Sequence, residues 1–136
     1  MSVFEYVRAT DINQAVATVS ADPAAAYLAG GTTQLDLMLK DRVVSAERLV
    51  DITRLPLGGV TLGGDTIQVG ALTTMEELAA DPTVRARLPF VREALLLGAS
   101  TQLRNMATIG GNLCRCGAYP NIVAAIREVA EAGGSR

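Results

Sequence analysis

The stretch Ala25-Ala26-Tyr27-Leu28-Ala29-Gly30-Gly31-Thr32-Thr33-Gln34-Leu35-Asp36-Leu37-Met38-Leu39-Lys40 sets the fold class. Its first five residues read as a short buried strand that runs straight into a glycine pair. Gln34 to Lys40 reads as a helix, and because Leu35, Leu37, Met38 and Leu39 leave little polar face, it is expected to be buried. Upstream, Val3 to Val7 reads as an opening strand. Thr10 is placed to cap a helix over Asp11 to Ser20, with Ile12, Ala15, Val16 and Val19 spaced for one buried face. Downstream, Arg48 to Ile52 reads as a third strand. A β-α-β-α-β order within about 50 residues marks a small mixed α/β (α+β) layer.

Past Leu55 the texture changes, and a subdomain boundary is placed between Leu55 and Gly59. Pro56 and the pairs Gly58-Gly59 and Gly63-Gly64 punctuate two short strands, Val60 to Leu62 and Thr66 to Gly70. Thr74-Met75-Glu76-Glu77 fits a capping box, so a helix begins there. Asp81-Pro82 ends it, and Pro82 can open a further turn. Pro89 to Gly98 reads as an apolar helix with Phe90, Val91, Ala94, Leu95 and Leu97 turned inward. Ser100 to Asn112 is polar and ends in Thr108-Ile109-Gly110-Gly111-Asn112. A last helix is expected over Asn121 to Ala132, with Ile122, Ile126 and Val129 on one stripe and Gly133 as its stop.

The 136 residues are 49% apolar, 19% charged and 4% aromatic, with a net charge of -2. That is enough chain for a self-sufficient core, and it lacks the basic face that nucleic-acid binding needs. No apolar run reaches the roughly 18 residues of a membrane span. The opening Met1-Ser2-Val3-Phe4-Glu5 has no signal-peptide character. The absence of histidine excludes Ser-His-Asp and Cys-His nucleophiles and imidazole zinc sites within the chain. Lys40, the single lysine, has no context for Schiff-base chemistry. No catalytic residue and no metal site is assigned. Cys114 and Cys116 sit too close together for an ordinary structural disulfide, and a reducing cytoplasm suits them.

What remains must come from a cofactor, from carboxylates or from a partner. Glu76-Glu77 reads as helix-start electrostatics and capping, and Asp36 and Asp41 as a solvated helix edge; Arg104 could meet a cofactor phosphate or a partner carboxylate, but solvated surface is the favoured reading. The two glycine pairs are the candidates. Ala29-Gly30-Gly31-Thr32-Thr33-Gln34 lies between a strand and a helix, where glycine lets the backbone approach a ligand and consecutive N–H groups can form an anion nest. Thr108-Ile109-Gly110-Gly111-Asn112 is of similar make. A single Gly-Gly after a strand is more often just a tight turn. Two such loops about 80 residues apart suggest a pyrophosphate gripped from two sides.

Three motifs occur in a family order: Ala29-Gly30-Gly31-Thr32, then Ile67-Gln68-Val69-Gly70-Ala71-Leu72-Thr73-Thr74, then Ser100-Thr101-Gln102-Leu103-Arg104-Asn105-Met106-Ala107-Thr108-Ile109-Gly110-Gly111-Asn112. Together they resemble the FAD-binding (medium) subunit of the xanthine dehydrogenase and carbon-monoxide dehydrogenase family of molybdenum hydroxylases, over residues 1 to about 113. The resemblance implies an FAD-binding fold of two α/β subdomains with the dinucleotide between them. It implies cofactor contacts from Ala29, Gly30, Gly31, Thr32, Thr33 and Gln34 in the first, and from Thr108, Ile109, Gly110, Gly111 and Asn112 in the second. Such subunits pass electrons from iron–sulfur clusters through FAD to an external acceptor, beside a molybdopterin-binding large subunit and a [2Fe–2S] small subunit.

The resemblance also sets limits. Subunits of this family continue well past the second glycine loop, so the second subdomain, residues 56–113, is expected to be incomplete after a first subdomain of residues 1–55. Residues 114–136, from Cys114-Arg115-Cys116-Gly117 onward, instead resemble the C-terminal end of the family's [2Fe–2S] small subunit. Two thiolates cannot hold a [2Fe–2S] centre that needs four, so no cluster is expected in this chain. The chain reads as a truncated oxidoreductase component that does not turn over alone. The alternative is a non-catalytic remnant that has lost FAD with the truncation and serves at most as a docking piece.

Overall fold

The structure is a computed structural model that describes residues 3–40 and 46–113. The expected β-α-β-α-β order is present: β1 (Glu5–Arg8), α1 (Ile12–Ala21), β2 (Ala25–Leu28), α2 (Gln34–Lys40) and β3 (Arg48–Asp51). The three strands form one parallel sheet in the order β1-β3-β2, with Tyr6 and Ala26 both level with Leu49. Leu49 and Val50 are fully buried at its centre, and Ala9, Ala15, Ile52 and Leu55 close a core with Val50. Leu57 and Leu72 pack on that core from the second half, tying the two parts together.

The cap of α1 is Asp11 rather than Thr10. The Asp11 carboxylate accepts from the Gln14 N–H at 2.8 Å, while Thr10 turns its own N–H and hydroxyl to the Gln14 side chain. A carboxylate also suits the positive end of a helix better than a hydroxyl.

The second half begins with a hairpin, β4 (Val60–Gly63) and β5 (Thr66–Val69), turning through Gly64-Asp65. Then come α3 (Met75–Ala80), α4 (Pro82–Arg87), α5 (Pro89–Gly98), α6 (Thr101–Arg104) and α7 (Ile109–Leu113). The capping box forms as expected: the Glu77 N–H reaches the Thr74 hydroxyl at 3.1 Å, and the Glu77 carboxylate takes the Thr74 N–H at 2.8 Å. Asp81 separates α3 from α4 by accepting from the Thr83 and Val84 N–H groups. The Ser100–Asn112 stretch, given no element above, holds two one-turn helices. Ser100 caps α6 through the Leu103 N–H.

Three apolar faces are not where periodicity put them. In α1 only Ala15 is buried; Ile12 and Val16 are exposed and line a cleft. In α2 Leu35 and Leu39 are exposed, and in α5 Phe90 and Leu97 stand 86% and 87% exposed. Periodicity identifies a face but not its cover: α5 packs on α3 and α4, yet Leu35, Leu39, Phe90 and Leu97 stay exposed among the described residues. Asp41, Cys114, Cys116 and the helix expected over Asn121 to Ala132 lie outside the described residues.

Candidate functional site

The two glycine loops meet, and the contact is built by the strand-like segment before α7. The Met75 N–H donates to the Ala107 carbonyl at 2.9 Å, the Ile109 N–H to Thr73 at 2.9 Å and the Gly110 N–H to Ala71 at 2.8 Å. Residues 107–110 therefore run beside 71–75, and this delivers Thr108 to the end of β2. There the Thr108 hydroxyl oxygen accepts the Gly30 N–H at 3.4 Å and the Gly111 N–H at 3.3 Å. A hydroxyl has two acceptor sites and one proton. Both acceptor sites face the loops, and the proton has no acceptor among the described residues.

Gly30 is required by this meeting. A Cβ there would overlap the Met106 carbonyl oxygen and crowd the Thr108 nitrogen at 3.1 Å. Gly31 has a φ of 72°, in the left-handed region that side chains disfavour. That kink starts the turn into α2. Among the described residues the N–H groups of Gly31, Thr32 and Thr33 have no acceptor, so three donors are left at one bend.

A cleft of about 470 Å³ opens beside this junction. Ile12, Val16 and Val19 of α1 form an apolar wall, and Gly31, Thr32, Thr33, Thr108, Gly110 and Gly111 a polar one. Ala29 lines it where the core begins, and Ile109 is half-buried beside it. Asn112 lies in α7, and its side chain is outside the described ones. Gln34, 5% exposed, also borders the cleft. Its amide nitrogen contacts the Met38 sulfur at 3.6 Å, and its Oε1 is buried with no donor among the described residues. The cleft thus combines free backbone donors, which suit phosphate oxygens, with an apolar wall, which suits an aromatic ring system. These residues fit a dinucleotide such as FAD.

Arg104 is not solvated surface. It is 8% exposed, its Nε meets Glu76 at 2.6 Å, and its remaining nitrogens donate to the Leu96 and Ala99 carbonyls and the Thr101 hydroxyl. Four partners hold the guanidinium between α3, α5 and α6. It is a structural clamp, unavailable to a phosphate. One buried carboxylate also went unnoticed in the sequence. Burial alone would raise the Asp51 pKa, but hydrogen bonds from the Tyr6 hydroxyl, from Thr53 and from Arg8 outweigh it and bring it from 3.8 to about 2. The pairing of β1 with β3 makes that cluster, which lies outside the cleft. Among the described residues no group of three or more His, Cys, Asp or Glu side chains could hold a metal ion, and no helix is long and apolar enough to cross a membrane.

Comparison with known proteins agrees with this fold. The model of the FAD binding domain in molybdopterin dehydrogenase matches residues 2–131, past residue 113 and into the stretch likened above to a small subunit. The carbon monoxide dehydrogenase medium chain of Hydrogenophaga pseudoflava is 40% identical over 111 residues, 81% of this chain and 39% of its own length. The aldehyde oxidoreductase FAD-binding subunit PaoB of Escherichia coli is 39% identical over 116 residues, 83% of this chain and 36% of its own. Among solved structures, carbon monoxide dehydrogenase from Hydrogenophaga pseudoflava superposes with a TM-score of 0.76 at 40% identity, over 82% of this chain and 39% of that one. Quinoline 2-oxidoreductase from Pseudomonas putida 86 gives 0.76 at 30% identity over the same shares. The chain therefore spans less than two-fifths of the length of these relatives. Fold, glycine loops and sequence kinship lead to one conclusion: the chain belongs to the family of FAD binding domains in molybdopterin dehydrogenase, a flavoprotein family whose cofactor is FAD.

Proposed function

We propose that this chain holds the pyrophosphate of FAD between Gly30-Gly31-Thr32-Thr33 and Thr108-Ile109-Gly110-Gly111-Asn112, with Gln34 beside it on the cofactor, as part of the FAD-binding subunit of a xanthine dehydrogenase-type molybdenum hydroxylase. The observation that carries this reading is the convergence of both loops on the Thr108 hydroxyl, beside a cleft of about 470 Å³. The free N–H groups of Gly31, Thr32 and Thr33 donate to phosphate oxygens, and Thr108 adds its hydroxyl proton. The apolar face of Ile12, Val16 and Val19 gives an aromatic ring a surface away from water. When bound, FAD supplies the redox chemistry; the chain supplies grip and orientation.

In this proposal electrons arrive from iron–sulfur clusters and leave through FAD to an external acceptor. The sister chains are a molybdopterin-binding large subunit and a [2Fe–2S] small subunit. That the relatives are a medium chain and an FAD-binding subunit supports a multi-subunit assembly. The exposed apolar residues of α2 and α5 are faces that such an assembly would cover. A reducing cytoplasm suits the cysteine pair.

The test is direct. The purified chain is incubated with FAD, desalted, and read by flavin absorbance against protein concentration. One flavin per chain is the expected result. A colourless chain that still captures a sister subunit would overturn the flavin proposal and leave the docking-piece alternative.

A further inference from the structure

We infer that Gln34 recognises a hydroxyl of the sugar-alcohol portion flanking the pyrophosphate, and not the pyrophosphate itself. This rests on the FAD reading above and sharpens it. The side chain is 5% exposed, borders the cleft, and carries a buried Oε1 with no donor among the described residues. A buried unpaired acceptor costs free energy, and native chains rarely retain one without a use. Its neighbours rule out the simplest partners. The amide nitrogen is turned to the Met38 sulfur at 3.6 Å within α2, so the oxygen is the group left over. An oxygen acceptor repels a phosphate, which offers only acceptors, and pairs instead with O–H or N–H donors.

Position narrows the choice of donor. Gln34 follows directly on the free N–H groups of Gly31, Thr32 and Thr33, which the pyrophosphate would take. The donors next along a dinucleotide, on either side of its phosphates, are sugar hydroxyls: ribityl on the flavin side, ribose on the adenosine side. Because Oε1 is shut away from solvent, contact requires the carboxamide to turn about its terminal torsion. That torsion is broad and soft in glutamine. Gln34 is then a positioning residue that sets where along the dinucleotide the two loops take hold.

The experiment compares the full chain with Q34L, a substitution close in volume that removes the acceptor. Affinities for FAD, FMN, ADP and inorganic pyrophosphate are measured by calorimetry, and Tm is recorded with and without FAD. Q34L should weaken FAD about 5-fold, as expected for one hydrogen bond, and leave inorganic pyrophosphate unchanged. A matching loss for FMN alone assigns the ribityl hydroxyls; a loss for ADP alone assigns the ribose. Without FAD, Tm should rise, because an unpaired buried oxygen is gone. Equal weakening of FAD and pyrophosphate, or no change in either, overturns the inference while leaving FAD binding intact. Failure of the unsubstituted chain to bind FAD overturns the proposed function instead, and this inference with it.

Discussion

Gly30-Gly31 and Gly110-Gly111 read alike in sequence, yet the chain treats them differently. After Gly30 the N–H groups of Gly31, Thr32 and Thr33 are free among the described residues. In the second loop the Ile109 and Gly110 N–H groups are committed to Thr73 and Ala71, and that of Gly111 to the Thr108 hydroxyl. The first loop offers donors; the second is bonded into its own half and offers a hydroxyl and a close approach. A glycine pair therefore identifies a junction without saying which side grips the ligand. Here the backbone donors come from the first side.

Gly30→Ala should break the junction most severely, because the new Cβ would overlap the main-chain oxygen of Met106, which cannot swing aside like a side chain. A loss of about 3 kcal/mol or failure to fold is expected, read by thermal or urea unfolding. A mild effect would mean that the loops are not held together as described.

Acid tests whether the halves share one unfolding transition. Asp51 belongs to the first half, and its pKa is lowered to about 2 from 3.8. A depressed carboxylate stabilises fully above the unfolded value and loses that contribution as pH falls toward the folded one. About 2 kcal/mol should therefore disappear between about pH 4 and pH 2, and D51N should flatten that part of the stability curve. Probes in the two halves should melt together across this window; separate transitions would show that the glycine junction does not couple them.

Thr108→Val keeps the shape and removes the acceptor that both loops share. It should cost about 1 kcal/mol, since both hydrogen bonds are long, while Thr108→Ser should restore stability. If valine is neutral, packing rather than the hydroxyl joins the loops. The smallest effect is expected from Gly58→Ala, whose Cβ would meet nothing within 4 Å. It should change Tm by no more than the scatter of a surface substitution, and a large effect there would undermine the contrast drawn for Gly30.

The sequence made local signals legible and left long-range ones hidden. The alternation of strand and helix segments, the Thr74–Glu77 capping box and the Asp81-Pro82 break rest on short local stretches of chain, so they could be read directly, whereas the parallel pairing of the strands joins distant residues. The sequence pointed to Thr10 as the cap of α1, and only the geometry shows that the adjacent Asp11 takes that place. Arg104 looked like surface because its partner Glu76 lies 28 residues away and two others are backbone carbonyls. Asp51 was missed for the same reason: β1 brings Tyr6 and Arg8 to it across more than 40 residues. The similar make of the two glycine loops suggested a pair, and the family resemblance supported it. Nothing in the spacing says that residue 108 meets residue 30.

The strand order β1-β3-β2 has a kinetic consequence. β3 is the last of the three to be made and the one that both others require, since β1 and β2 do not touch each other. Until Asp51 has left the ribosome there is no sheet, only α1 and α2 with two unpaired strands, and every ladder bond forms late and between distant residues. High sequence separation of this kind slows folding. It also lengthens the interval in which open strand edges are exposed during synthesis. Substitutions at Leu49 or Val50 should therefore slow refolding as well as lower stability, whereas changes confined to α1 should mainly speed unfolding.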